Sequence, residues 1–263
     1  MLAANKCRQI LQLLESKAFV TIDEFAKELN VSESSARRYL SALDEEGKLK
    51  RVHGGAISLT TQYESIDREV SERRMNNIEV KKEISKYAAS LIEDEDFIYI
   101  DSGTTTEFIS DYLTAKSVTL VTNNIYIAKT YYKKYLKVFL IGGEYKAVTE
   151  ANIGPNAVDN LKQFNFNKGF FGANGVDFKM GFTTPDMEEA AVKMQAFERS
   201  IHRYVLADNS KIGKITSFTF GEIDDATLIT NSLQETHITK NLDVVDVDKI
   251  YKSGIVYETE NKN

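Results

Sequence analysis

The chain has 263 residues, of which 42% are hydrophobic, and a formal net charge of −6. At about 100–200 residues per domain, this length predicts two domains. No apolar run approaches the ~20 residues of a membrane span, and Cys7 is the only cysteine. We therefore expect a cytoplasmic protein with no signal peptide, membrane segment or internal disulfide.

The first 57 residues have the pattern of three short helices followed by a hairpin. Apolar residues at helical spacing predict the first two helices, and Thr21 with Glu24 predicts a capping box at the start of the second. Ser32 is the expected N-cap of the third helix, with Ala36 and Leu40 on its buried face. We assign residues 1–57 to a winged helix-turn-helix domain.

Polar and basic side chains occupy the outer face of the third helix, as in helices that read DNA bases. Residues 48–57 then read K-L-K-R-V-H-G-G-A-I, which predicts a basic β-hairpin, or wing. A solvated helix face is the alternative for the helix alone, but the wing favours a double-stranded DNA operator as partner. The predicted DNA contacts are Ser32, Ser34, Ser35, Arg37, Arg38, Ser41, Lys50, Arg51 and His53.

These two segments resemble the N-terminal domain of the DeoR family of bacterial repressors. That family shows V-S-x-x-T-I-R-R-D-L and then R-x-H-G-G-A, where this chain has V-S-E-S-S-A-R-R-Y-L at 31–40 and R-V-H-G-G-A at 51–56. The first segment departs from the pattern at Ser35, Ala36 and Tyr39. Because Tyr39 removes an acid from the reading helix, operator preference can differ from that of relatives.

Residues 58–80 are rich in charge, which is typical of a solvated helical linker. From residue 81 to 263, short apolar runs alternate with helical patterns, which predicts a parallel sheet with helices on both faces. The chain is thus expected to be α/β, with the winged domain followed by a larger Rossmann-like domain. Ligands of such sheets bind beyond the carboxyl ends of the strands.

Polar residues follow each predicted strand end in the larger domain. The segment Asp101–Thr106 reads D-S-G-T-T-T before a predicted helix, an arrangement that can hold an anion through backbone N–H groups and the helix dipole. It lacks the spacing of a nucleotide P-loop, and a capped turn is the alternative. The predicted effector contacts are Asp101, Ser102, Gly103, Thr104, Thr105, Thr106, Thr122, Asn123, Gly142, Gly143, Asn174, Glu189 and Lys211.

Residues 80–232 also resemble the DeoR sensor domain, through D-S-G-T-T-T, T-N-N, G-G-E, G-A-N-G-V-D, G-F-T-T-P-D and S-K-I-G. The resemblance implies a repressor of a sugar-catabolic operon, including the fructose and lactose operon type. It also implies a phosphorylated sugar as effector, a hexose or ketose phosphate such as fructose 1-phosphate, whose binding usually weakens the operator complex. A homodimer or homotetramer is implied as well.

The DeoR sensor domain is similar in fold to ribose-5-phosphate isomerases, so a sugar-phosphate isomerase is the alternative function. Those enzymes carry D-G-A-D, where this chain has F-G-A-N at 171–174. Asn174 cannot act as a base, although Glu189 leaves a carboxylate nearby, so we expect binding without turnover and no catalytic residues. A sugar-phosphate-binding protein that does not touch DNA is a second alternative. Scattered histidines predict no metal site, and no cofactor is expected.

Overall fold

The computed structural model describes residues 2–16, 19–52, 55–58, 62–63, 70–133, 136–232 and 243–252. They form two compact units, one ending at Gln62 and the other beginning at Tyr63. This division falls inside the predicted connector, 58–80. The two-residue strand β4 (Gln62–Tyr63) lies at the division.

The first unit contains three helices and a small antiparallel sheet. The helices are α1 (Leu2–Ser16), α2 (Ile22–Glu28) and α3 (Glu33–Glu45). The strands are β1 (Phe19–Thr21), β2 (Leu49–Val52) and β3 (Gly55–Ser58), in the order β1-β3-β2. The predicted hairpin is therefore the β2–β3 pair, and β1 adds a third strand that the sequence did not suggest.

Local sequence explains why these helices begin where they do. The Thr21 side chain accepts the Glu24 N–H at 3.0 Å, and the Glu24 carboxylate accepts the Thr21 N–H at 2.9 Å. This confirms the predicted capping box, which satisfies two N–H groups that a helix start leaves unpaired. Phe25, Ala36 and Leu40 are fully or almost fully buried, as their helical spacing predicts.

The second unit is an α/β domain built on a seven-stranded sheet. After β4 (Gln62–Tyr63), its strands are β5 (Phe97–Ile100), β6 (Thr119–Thr122), β7 (Lys137–Leu140), β8 (Glu144–Lys146), β9 (Ala151–Ile153), β10 (Phe166–Gly172), β11 (Gly175–Asp177), β12 (Gly181–Thr184), β13 (Ser200–Leu206), β14 (Lys214–Ile215), β15 (Phe218–Gly221), β16 (Thr227–Thr230) and β17 (Val244–Asp246). Its helices are α4 (Val70–Met75), α5 (Ile78–Ser90), α6 (Ile109–Tyr112), α7 (Ile125–Tyr132), α8 (Pro155–Leu161), α9 (Met187–Glu198) and α10 (Val247–Lys252).

The large sheet has the strand order β17-β16-β13-β10-β5-β6-β7, and every neighbouring pair is parallel. This confirms the predicted parallel sheet. Side chains alternate between two buried cores, because successive residues of a strand point to opposite faces. In β5, for example, Tyr99 belongs to one core, whereas Ile98 and Ile100 belong to the other.

The strand order reverses between β5 and β10, which lie side by side. From β5 the chain adds β6 and β7 on one side, and from β10 it adds β13, β16 and β17 on the other. The loops that leave these two strands therefore diverge and open a crevice at the carboxyl edge of the sheet. Ligands of open α/β sheets bind at this kind of switch point.

The second unit differs from the sequence-based expectations in four features. The segment after the D-S-G-T-T-T loop is a 3₁₀ turn, Thr106–Phe108, followed by the four-residue helix α6, and so lacks the long helix that would supply a sizeable dipole. The linker is also less solvated than expected, because Val70 is buried and Arg74 is ion-paired. The short antiparallel sheet β11-β12-β15 and hairpin β8–β9 were not predicted.

Candidate functional site

Helix α3 carries the predicted DNA-reading face of the first unit. Ser32 caps it, as expected, by accepting the Ser35 N–H at 3.3 Å. Ser34, Arg37 and Arg38 are exposed, whereas Ser35 and Ser41 are only half-exposed. The helix thus presents Ser34, Arg37 and Arg38 to solvent, while Ser35 and Ser41 are partly covered by neighbouring residues.

Each exposed arginine has one local contact. Arg37 pairs with Glu33 one turn earlier at 3.2 Å, and the Arg38 guanidinium lies 5.8 Å from the centre of the Tyr39 ring. Tyr39 itself packs partly against the core of this unit. Exposed i,i+4 ion pairs contribute only about 0.3–0.5 kcal/mol, so Arg37 can exchange Glu33 for a phosphate at little cost.

The first wing strand is tied to helix α3. The Arg51 guanidinium donates to the Ser41 hydroxyl at 2.6 Å, and the Arg51 N–H donates to Asp44 at 3.0 Å. Ser41 in turn donates to the Arg37 carbonyl. The predicted contacts Arg51 and Ser41 therefore fix the wing strand relative to the helix. The Lys50 side chain and His53 lie outside the described residues.

The second unit has a polar cavity of about 220 Å³ at the switch point of the sheet. Its walls come from the loops after β5, β10 and β13 and from helices α4, α5 and α9. The lining residues are Arg73, Asn76, Asn77, Lys81, Ser102, Gly103, Thr104, Thr105, Gly172, Ala173, Asn174, Glu189, Lys193, Leu206, Ala207, Asp208, Ser210, Lys211 and Lys214. Five of these side chains are cationic and two are acidic.

The structure brings together seven of the thirteen predicted effector contacts around this cavity, namely Ser102, Gly103, Thr104, Thr105, Asn174, Glu189 and Lys211. Asp101, Thr106, Thr122 and Asn123 are buried behind it. Gly142 and Gly143 lie outside the lining. At Gly143 a side-chain Cβ would come within 2.5 Å of the Ile153 carbonyl oxygen, so this glycine serves the β8–β9 hairpin.

The buried residues behind the cavity hold the loop after β5 in place. Asn123 accepts the Ser102 N–H at 3.1 Å and the Tyr99 hydroxyl at 3.2 Å. The Thr106 hydroxyl donates to the Asp101 carbonyl at 2.7 Å. Their polar groups are thus engaged with the protein, and they shape the cavity from behind.

Asp101 forms a buried ion pair with Lys193 of α9 and also accepts the Gly172 N–H at 3.1 Å. Burial raises the pKa of the Asp101 carboxyl above its ordinary value, although the Lys193 ammonium opposes this shift. The pair joins the loops after β5 and β10, since Lys193 also donates to the Gly172 carbonyl. Asp101 is therefore a partner of Lys193 and does not line the cavity.

Glu189 is the carboxylate that could have served an isomerase reaction. Its side chain is largely buried and has cationic and hydroxyl partners. Its Oε1 accepts a hydrogen bond from Lys146 at 3.0 Å and another from the Thr149 hydroxyl. Glu189 thus lines the cavity with a carboxylate whose Oε1 already accepts hydrogen bonds from two protein donors. Asn174 accepts a hydrogen bond from the Thr184 hydroxyl at 3.3 Å.

Sequence reasoning missed most of the cations of the cavity, namely Arg73, Lys81, Lys193 and Lys214. Lys81 is buried and donates to the Thr104 hydroxyl at 3.0 Å. Burial lowers the pKa of its ammonium to about 8. Arg73 and Lys81 belong to segments that the sequence assigned to the linker and its border, and no local motif marked them.

Two family models match the chain. The DeoR-like helix-turn-helix domain matches residues 7–62, and the DeoR C terminal sensor domain matches residues 76–232, more than half of the chain. The chain belongs to the DeoR family. This confirms the resemblance drawn from the motifs, and as a DeoR-family member with both domains the chain is a DNA-binding transcriptional regulator.

Curated relatives extend the DeoR-family match over most of the chain. An uncharacterized HTH-type transcriptional regulator, FruR, of Bacillus subtilis (strain 168) is 40% identical over 236 residues, which cover 89% of this chain and 93% of the relative. A lactose phosphotransferase system repressor of Staphylococcus aureus (strain NCTC 8325 / PS 47) is 35% identical over 225 residues, covering 84% and 88%.

Among solved structures, ribose 5 phosphate isomerase A from Neisseria gonorrhoeae aligns with a TM-score of 0.37 and 14% identity, covering 51% of this chain and 53% of that one. A similarity at this level carries no argument about chemistry. Within the described residues of this DeoR-family chain, no group of three or more His, Cys, Asp or Glu side chains could hold a metal ion. Nor does any described helix have the length and apolarity to cross a membrane.

Proposed function

We propose that this DeoR-family protein represses a sugar-catabolic operon and that a phosphorylated sugar, bound in the cavity of the second unit, controls its binding to a double-stranded operator. The single observation that carries the proposal is the convergence of five cationic side chains on one small polar cavity at the switch point of the sensor sheet. The named roles of the relatives, a FruR regulator and a lactose phosphotransferase system repressor, support the sugar class.

The size and polarity of the cavity support a small, hydroxylated anion. Its volume of about 220 Å³ lies below the roughly 300–1,000 Å³ of pockets for drug-sized ligands. Hydroxyl and amide side chains such as Thr104, Thr105 and Asn174 can bind sugar hydroxyls, while the cations bind phosphate. A hexose or ketose phosphate, for example fructose 1-phosphate, meets both requirements.

The proposal includes cytoplasmic action without catalysis, by a homodimer or homotetramer. Helix-turn-helix proteins read two half-sites as symmetric oligomers, which supports an even-numbered assembly. Two features support binding without turnover, because enediolate formation needs a carboxylate that is free to take a proton from the sugar. The Glu189 Oε1 already accepts hydrogen bonds from Lys146 and Thr149, and residue 174 is an amide. The isomerase alternative has no observation of its own in its favour.

The decisive experiment is a gel shift with the DNA upstream of the protein's own operon, at one stated salt concentration. The panel contains fructose 1-phosphate, fructose 6-phosphate, glucose 6-phosphate, ribose 5-phosphate and unphosphorylated fructose. We expect a specific shift that one phosphorylated sugar releases and free fructose does not. The same sugar phosphates should be recovered unchanged after incubation with the protein.

Arg38→Ala, on the exposed face of α3, should weaken the specific shift roughly 5- to 150-fold, the range of about 1–3 kcal/mol for a base or phosphate contact. Lys27→Ala is the matched control, because Lys27 is exposed on α2 and pairs with Asp23. No specific shift, when the assay is repeated at several salt concentrations, would overturn the repressor assignment. Isomerised product that Glu189→Ala abolishes would overturn the assignment as a non-enzyme.

A further inference from the structure

Arg73 of helix α4 lines the cavity as a half-buried cation, and its Nε atom is buried. Its Nε is buried without a hydrogen bond, and the side chain forms no hydrogen bond or ion pair with any residue that the structure describes. A buried donor left unsatisfied costs about 1–3 kcal/mol, and more when it is charged. The position of Arg73 therefore indicates that an anion completes this wall.

Lys81 lies next to Arg73 and also lacks a contacting counter-charge, although its ammonium is hydrogen-bonded. Its ammonium donates to the Arg73 carbonyl and to the Thr104 hydroxyl, both neutral, and forms no ion pair with a described carboxylate. Burial is the main cause that lowers the pKa of Lys81 to about 8. The nearby cations Lys211 and Arg73 lower this pKa further, whereas the carboxylates of Asp208 and Glu107 raise it. A half-buried guanidinium and a buried ammonium thus lie side by side at the cavity, and neither contacts a counter-charge among the described residues.

We infer that Arg73 and Lys81 together bind the anionic group of the ligand, which makes helix α4 a wall of the binding site whose stability depends on occupancy. The inference rests on the proposed function and deepens it, because it assigns two binding residues outside the D-S-G-T-T-T loop. A phosphate group suits this pair, since guanidinium forms paired hydrogen bonds to its oxygens and the ammonium supplies a second charge.

Helix α4 is anchored to the 3₁₀ turn after the cavity loop 102–105 and to the segment between β8 and β9. The Val70 N–H donates to the Val148 carbonyl at 3.0 Å, and Arg74 binds both oxygens of Glu107 at 2.8 and 3.0 Å. The Glu107 N–H in turn donates to the Gly103 carbonyl at 3.1 Å. These contacts connect α4 to the end of the cavity loop and to the segment between β8 and β9.

Helix α4 is also the first described helix after the DNA-reading unit, from which residues 63–69 separate it along the chain. An anion bound by Arg73 and Lys81 adds contacts between α4, α5 and the loop 102–105, so the bound form holds α4 more firmly than the free form does. A ligand shifts an equilibrium only through such differential contacts. Ligand occupancy therefore acts on the segment that leads to the DNA reader.

The test uses isothermal titration calorimetry of the full chain with fructose 1-phosphate and, as the bare anion, inorganic phosphate. Arg73→Gln and Lys81→Met are each expected to weaken binding of fructose 1-phosphate about 10- to 100-fold, the range for losing one charge-assisted contact. Arg73→Lys, which keeps the charge but loses the planar fork, should fall between Arg73→Gln and wild type. Inorganic phosphate should bind more weakly than the sugar phosphate and lose affinity in the same order.

Lys82→Met is the matched control, because Lys82 adjoins Lys81 but pairs with Glu79 at the surface and does not line the cavity. It should bind both probes within about threefold of wild type. Hydrogen exchange supplies the second readout: fructose 1-phosphate should slow exchange at amides 71–76 in wild type and Lys82→Met but not in Arg73→Gln. This change reports on α4 directly, and thermal unfolding shows whether each variant is folded.

The outcomes separate this inference from the proposed function. Wild-type protein that binds neither probe overturns both. Wild-type binding that Arg73→Gln and Lys81→Met leave intact overturns the inference alone and keeps the sugar-phosphate sensor. Binding that changes as expected without slower exchange at 71–76 overturns the role of α4 as an occupancy-dependent wall.

Discussion

At the scale of single residues, Lys81 makes ligand binding sensitive to pH. The pKa of its ammonium is about 8 in the free protein, and a bound phosphate would raise that pKa by favouring the charged form. Affinity should therefore be greatest below pH 8 and fall as pH rises through 8, by at most tenfold per pH unit for one proton. A phosphate monoester, with a second pKa near 6, stays dianionic over this range.

Calorimetry with fructose 1-phosphate between pH 7 and 9.5 would show this dependence, together with proton uptake above pH 8. Lys81→Met is the control that removes the group, and it should flatten the profile while Lys82→Met leaves it unchanged. Asp208, Glu107, Lys211 and Arg73 also act on Lys81. If the affinity of Lys81→Met depended on pH as steeply as that of wild type, the titrating group would be a residue other than Lys81.

The cavity shows how far single residues can be predicted from the sequence. The loop 102–105 was predicted because glycine and hydroxyl residues after a strand have a local signature. Arg73 and Lys81 carry no such signature, since they reach the cavity only through the packing of α4 and α5 against that loop. Asp101 was expected to contact the ligand, but its partner Lys193 lies 92 residues away, a distance that no local pattern reveals.

At the scale of elements, the start of α2 depends on a few polar atoms. Thr21→Ala removes the acceptor for the Glu24 N–H, and with it half of the capping box. We expect the free energy of unfolding of the first unit to fall by about 1 kcal/mol. Urea unfolding of the full chain, followed by hydrogen exchange at amides of α2, would measure the change.

Ser34→Ala is the control for this stability measurement, because Ser34 is an exposed hydroxyl residue on α3 with no capping role. It should change the free energy of unfolding by less than about 0.5 kcal/mol. If Thr21→Ala cost no more than Ser34→Ala, the hydrogen bonds of the capping box would contribute nothing to the first unit.

Helices and strands with a clear pattern of apolar residues could be predicted from the sequence. Short elements that form through tertiary contacts could not. The apolar runs at β5, β6 and β10 identify buried parallel strands because both faces of the sheet are covered. The three-residue strands β8, β9 and β11 are too short to show alternation, and they form through pairing. The helix expected after the D-S-G-T-T-T loop shrinks to a 3₁₀ turn and a single α-turn.

At the scale of the whole molecule, the proposed function requires one coupling free energy between operator and effector. The protein carries a net charge of −6, so its operator contacts depend on local cations within a Debye length of about 8–10 Å and on salt. Both equilibria must therefore be measured in one buffer. Linkage then demands that each ligand change the affinity for the other by the same factor.

We expect fructose 1-phosphate to weaken operator binding by about 5- to 150-fold, the usual range of such coupling. Titrating operator duplex into free and sugar-saturated protein gives the first factor, and titrating the sugar into free and operator-bound protein gives the second. The two factors should agree. If α4 carries the coupling, Arg73→Gln should reduce both factors by the same amount. The control Lys82→Met should leave both factors unchanged. Unequal factors would mean that a second binding event, such as a change of oligomeric state, accompanies one of the titrations. If Arg73→Gln weakened sugar binding but left both factors at their wild-type values, the coupling would lie outside α4.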